Sequence, residues 1–189
     1  RLFDLCLVPG HDRPRAAPNI RGTRGSLNRV RAVMPHGGDG HGLLLIGGTS
    51  RHYRWHSGEL IGQLLHIVRY SSQRHWILAT SRRTPAGFAE QVRRAVFSST
   101  RTVEVVPWHE TSPGWLQERY AAAGCVWVTA DSVSMLYEAL TAGLPTGVIE
   151  LPPRRNGRVV RGVRELIRSR QVTPFHDWIR GCPLRRPEQ

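Results

Sequence analysis

From residue 43 onward, short apolar runs alternate with longer stretches whose apolar residues recur at three-to-four spacing. No other feature of the chain limits its fold so strongly. A short apolar run suits a strand buried on both faces, and the longer periodic stretch after it suits an amphipathic helix. The alternation therefore predicts successive βαβ units: an α/β, Rossmann-like parallel sheet with helices on both faces. Strands are expected at 43–46, 75–79, 102–106, 125–128 and 146–149, and helices at 59–71, 85–97, 114–122, 132–142 and 156–169. In the last of these, Val159, Val160, Val163, Leu166 and Ile167 fall on one face. The domain is expected to run over 43–172. Residues 37–42, inside the stretch PHGGDGHG, read as a linker, and residues 2–8 as a strand followed by a loop rich in Pro, Gly and Arg.

Composition narrows the function classes. The 189 residues suffice for one full-sized domain. A count of 27 basic residues against 14 acids gives +13, which favours anionic partners. Every basic residue is arginine, and the arginines are scattered, with pairs at Arg82-Arg83, Arg154-Arg155 and Arg185-Arg186. Without a basic stripe or a nucleic-acid module, the expected anion is a small ligand and not a specific nucleic acid. Cys6, Cys125 and Cys182 are widely separated and odd in number, as in buried free thiols of a reducing compartment. No apolar run nears the roughly 20 residues of a membrane span, so the expected location is cytoplasmic, with membrane association peripheral at most. The chain opens on Arg1 and enters an apolar run at once, which reads as a fragment.

In open parallel sheets ligands bind beyond the carboxyl ends of the strands, so the loops that follow the strands are the candidate sites. In the first, Gly47 and Gly48 permit close backbone approach, and Thr49, Ser50 and Arg51 offer donors to an anion. In the second, Ser81, Arg82 and Arg83 precede a helix expected to carry Pro85 in its first turn. Trp108 follows the third strand and can present a ring to a base. The fourth loop is the most informative. Asp131 or Ser132 suits a helix N-cap, the free N–H groups there suit a diphosphate, and Ser132, Ser134 and Met135 line that turn. Glu138, two turns in, is placed to accept hydrogen bonds from ribose hydroxyls.

Rival chemistries fit less well. His52 and His56 have the spacing of helix-borne zinc ligands, but Tyr53 stands where a metalloprotease has glutamate. The sequences G-x-G-x-x-G and G-x-S-x-G are absent. Cys125 opens a strand and reads as core.

The stretch 131–145 (DSVSMLYEALTAGLP) resembles the nucleotide-binding segment of the second lobe of GT-B glycosyltransferases, with Glu138 and Gly143-Leu144-Pro145 at matching spacing. A broader likeness covers nearly the whole chain: His11-Asp12-Arg13, Gly25-Ser26-Leu27-Asn28, LIGGTSRHYRW (45–55), TSRRTP (80–85) and VTADSVSM (128–135) resemble the bacterial relatives of the plant mitochondrial-fission "elongated mitochondria" family. Gly10 and Pro14 stand where that family's pattern carries glutamate and glycine.

The resemblance implies the second lobe of a GT-B-like fold, with 1–36 a remnant of the first lobe and 173–189 a C-terminal crossover tail. It implies a nucleoside diphosphate or nucleotide sugar as ligand, an unnamed acceptor and no required cofactor or metal, with the base drawn from the missing first lobe or from His11. Two function classes stay open: a nucleotide-sugar-dependent glycosyltransferase or its relic, and a non-catalytic scaffold of the mitochondrial-fission type. An epimerase is excluded, because its Tyr-x-x-x-Lys pair needs a lysine this chain lacks. A lobe on its own is further expected to expose apolar surface around Trp178 and Ile179, to self-associate, and to transfer no sugar.

Overall fold

The computed structural model describes residues 3–9, 15–23, 25, 27–33, 40–97 and 101–187. Its centre is a six-stranded parallel sheet built from β3 (His41–Leu45), β4 (His75–Ala79), β5 (Thr102–Val106), β6 (Ala123–Thr129), β7 (Thr146–Ile149) and β8 (Thr173–Pro174). Along β3, β6 and β7 nearly every residue is buried. Successive strand residues point to opposite faces, so unbroken burial means that both faces are covered.

The covering helices are α1 (Ser57–Tyr70), α2 (Phe88–Val96), α3 (Trp115–Ala122), α4 (Val133–Thr141) and α5 (Arg158–Arg168). The α2 helix starts after Gly87, so Pro85 lies in the preceding turn and not in its first turn. Trp76 and Trp127 are fully buried beneath the sheet's cover. Gly147 makes room for the second ring, since a Cβ there would stand 2.3 Å from Trp127 Cε3.

Strand order is β5-β4-β3-β6-β7-β8. The chain winds outward from β3 to β5, returns to β6 on the other side of β3, and winds outward again. The direction of winding reverses between β3 and β6, which opens the crevice where such sheets take ligands.

Two regions exceed the expectation. At the N-terminus, β1 (Cys6–Pro9) pairs in parallel with β2 (Ile20–Thr23) in a separate two-stranded sheet. Phe3, Leu5 and Leu7 are exposed beside it. Residues 27–33 then cross the lobe: Asn28 Nδ2 donates to Thr141 Oγ1 at 2.9 Å, Arg31 N to Gln117 Oε1 at 3.0 Å, and Val33 N to the Ala142 carbonyl at 3.0 Å.

At the other end, β8 extends the sheet and α6 (Phe175–Trp178) folds back on it. The Trp178 ring meets Trp127 edge-on at 5.2 Å, so this side chain is packed and not part of an exposed apolar face. Ile179 is 49% exposed, as expected of it. Cys125 is buried, which pushes its thiol up to about 12 and leaves no thiolate at neutral pH. No helix among the described residues is long and apolar enough to cross a membrane.

Candidate functional site

At the reversal point three post-strand loops are tied together by polar contacts. Gly47 N donates to Thr129 Oγ1 at 2.8 Å, and Gly48 N donates to Asp131 Oδ2 at 3.0 Å. Ser81 Oγ and Thr84 Oγ1 both donate to the Gly47 carbonyl, at 2.6 and 2.5 Å. Thr49 N reaches the Arg83 carbonyl at 3.0 Å, while Arg83 Nη1 lies 2.7 Å from Asp131 Oδ2 and 3.3 Å from the Thr49 carbonyl.

Such tight seating needs glycine. A Cβ on Gly48 would stand 2.0 Å from the Arg83 carbonyl carbon and oxygen, and one on Gly47 would stand 2.5 Å from the Asp131 carboxylate. The Asp131 side chain is fully buried, and its Oδ1 has no hydrogen-bond partner.

Ser132 is the N-cap of α4, buried and without a side-chain capping bond, and the first turn carries no acid. The helix's leading N–H groups therefore face no capping side chain, the arrangement that receives anions. Ser134 is exposed in that turn, and Met135 is half-buried against the core.

Four residues on, Glu138 lines a cleft of 260 Å³ together with Arg29, Thr111, Ser112, Trp115 and Gln117. The carboxylate is half-buried, desolvation raises its pKa above the ordinary glutamate value, and no described residue donates a hydrogen bond to it. A second cleft, of 280 Å³, lies between the loops after β4 and β5 and is lined by Thr80, Ser81, Arg93, Trp108 and His109. Trp108 N is anchored on Thr80 Oγ1 at 3.0 Å, and the residue is 46% exposed.

The expected site residues thus fall into four groups. Gly47, Gly48, Arg83 and Asp131 are joined at the reversal point, where the donors of Gly48 and Arg83 already hold a carboxylate. Ser132, Ser134, Met135 and Glu138 follow along α4, and Ser81 and Trp108 share the second cleft. Thr49, Arg51 and Arg82 are exposed at the rim, and Ser50 Oγ accepts the N–H groups of His52 and Tyr53.

His11 lies outside the described residues. His52 and His56 precede the first residue of α1 and share no helical face. Among the described residues no group of three or more His, Cys, Asp or Glu could hold a metal. The residues facing Glu138 across its cleft were missed from sequence. The only hint was the turn 111–114, whose Gly114 adopts φ 88° before α3.

Comparison with known proteins bears on the fold and the family. Among solved structures, MurG of Acinetobacter baumannii superposes with a TM-score of 0.53 at 12% identity, over 85% of this chain and 43% of that one. The chain thus spans less than half the length of that structure, and the likeness establishes a GT-B-like fold. No curated protein matches. The family profile for mitochondrial fission ELM1 matches residues 1–187, and the chain belongs to that family.

Proposed function

We propose that this lobe binds a nucleoside diphosphate, free or as a nucleotide sugar, along its carboxyl edge. The observation that carries the reading is Glu138: a half-buried, desolvated carboxylate in a cleft, with no donor among the described residues. A buried polar group without a partner is costly, and two ribose hydroxyls are donors of the right kind. Next to it, the uncapped start of α4 suits the diphosphate, with Ser134 at its first turn. Arg51 and Arg82 at the rim supply positive charge for the phosphates. The reading includes a glycosyltransferase-like role, in which these groups would stabilise a departing nucleoside diphosphate.

A second reading, a scaffold that keeps the fold, is favoured by one contact. Asp131 occupies the Gly48 N–H and Arg83 guanidinium, the donors nearest the reversal point.

Titration calorimetry with uridine, guanosine and adenosine diphosphates tests the proposal, with Glu138→Ala as the discriminating variant. Loss of hydrogen bonds to a charged acceptor is worth about 1.5–3 kcal/mol, so the variant should bind roughly tenfold to a hundredfold more weakly. Absence of heat with every diphosphate would overturn the reading. Binding without sugar release from a nucleotide-sugar panel would favour the scaffold.

A further inference from the structure

The net charge is not spread evenly over the surface. Seven of the 27 basic residues lie between 151 and 170, against the single acid Glu165. On α5 the buried side is Val160, Val163 and Leu166, so the spacing turns Arg161 and Arg164 outward. Two further arginines, Arg154 and Arg155, stand exposed in the loop that leads into this helix.

That loop is bonded to the one after β3. Tyr53 and Pro153 form an antiparallel bridge, Arg154 N donates to the His52 carbonyl at 2.8 Å, Arg54 N to the Pro152 carbonyl at 2.8 Å, and Arg154 Nε to the Tyr53 carbonyl at 3.2 Å. The pairing brings exposed Arg54 beside Arg154 and Arg155. Arg161 and Arg164 reach back to Asn156, through its carbonyl at 3.0 Å and its Oδ1 at 3.2 Å, which draws the helix arginines toward the same loop. None of these five meets a carboxylate among the described residues. Arginines from two loops distant in sequence and from α5 are thus tied to one pair of bridged loops.

We propose that this face, formed by Arg54, Arg154, Arg155, Arg161 and Arg164, docks the protein on an anionic lipid surface. It is an outer helix face with an exposed loop at its head, and it lines neither of the clefts described above. A planar array of phosphates can meet such a surface without a groove. Single-stranded nucleic acid is disfavoured, because the aromatics of the same loop are withdrawn: Tyr53 is buried and Trp55 packs edge-on against Phe88 at 5.1 Å. The apolar side of α5 is committed to the core, so adhesion is electrostatic and reversible. The inference is independent of the nucleotide-binding reading and uses none of its residues.

Co-sedimentation of the full chain with phosphatidylcholine vesicles, with and without phosphatidylglycerol, tests it. Binding should require phosphatidylglycerol and fall steeply with added salt. The variant Arg154→Gln/Arg155→Gln should partition more weakly, by about fivefold per arginine. Arg161→Gln/Arg164→Gln should behave alike and melt close to the parent, while Arg154→Gln/Arg155→Gln should stay folded with a slightly lower melting temperature from the lost Arg154 Nε bond. Arg69→Gln/Arg74→Gln, at the opposite sheet edge, should partition as the parent. Equal binding to neutral vesicles, parent-like binding by both stripe variants, or equal loss in the Arg69/Arg74 control would overturn the proposal. Stripe-dependent binding of an RNA or DNA oligomer, with no vesicle binding, would overturn it in favour of nucleic acid.

Discussion

The Arg83 guanidinium lies 2.7 Å from the Asp131 carboxylate, and the same carboxylate oxygen accepts the Gly48 N–H at 3.0 Å. One buried acid thereby joins three loops at the point where the sheet's winding reverses. Arg83 remains 44% exposed, so the ion pair is partly screened by solvent and the buried N–H bond is the firmer half. Asp131→Ala should destabilise the lobe by about 1–3 kcal/mol, chiefly through the orphaned Gly48 N–H. Asp131→Asn, which keeps an acceptor, should lose less. Thermal and denaturant melts of the two variants check the order.

Two glycines should respond in opposite directions. A Cβ at position 48 meets backbone that cannot move aside, so Gly48→Ala should cost about 1–3 kcal/mol or more. Gly62, inside α1, has nothing within 4 Å of its Cβ direction. Gly62→Ala should stabilise by up to about 1 kcal/mol, because alanine is the better helix former. Equilibrium urea unfolding of both separates loop crowding from helix propensity.

The half-buried Glu138 sets a pH dependence. Its folded pKa is raised by desolvation, so the folded state holds this proton more tightly than the unfolded chain. Stability from this group is full below the ordinary glutamate value and is lost as pH rises through the raised folded value. Glu138→Gln should therefore flatten that decline and raise the melting temperature at neutral pH while weakening nucleotide binding. Melts recorded from acidic to neutral pH, with and without uridine diphosphate, read both effects.

His41 acts in the opposite sense. Burial first, then His75 and Arg119, lower its pKa, so the folded state disfavours protonation. Its contribution is full above the ordinary histidine value and is lost as pH falls through the lowered one. His41→Gln should reduce acid lability below about pH 6.5. The melting temperature plotted against pH checks it.

The C-terminal segment is clipped to the sheet by Glu150, which accepts His176 N at 2.9 Å and faces His176 Nδ1 at 2.8 Å. Glu150→Ala should loosen residues 173–187 without unfolding the lobe, because Trp127 and the rest of the core are untouched. Faster amide exchange confined to that segment is the expected result.

The strand at 75–79, the strand at 102–106 and the strand at 146–149 were legible as written, and so was the order of helices between them. These are local properties: an apolar run must be buried on both faces, and a three-to-four period must bury one side of a helix, whatever the neighbours are. A strand was expected at 2–8 and β1 overlaps it, whereas its partner β2 and the two-residue β8 carry too little pattern to announce themselves and exist only through their pairing partners. The site divides in the same way. The α4 turn and Glu138 were visible because one contiguous stretch holds them, whereas the contact of Gly48 with Asp131 spans 83 positions and that of Arg83 with Asp131 spans 48. Arg54 and Arg154 likewise come together only because the loops after β3 and β7 bridge at Tyr53 and Pro153. Periodicity along the chain determined which segments are buried; closure of the sheet alone decided which loops meet, because hydrogen bonds and steric contact act between neighbours in space.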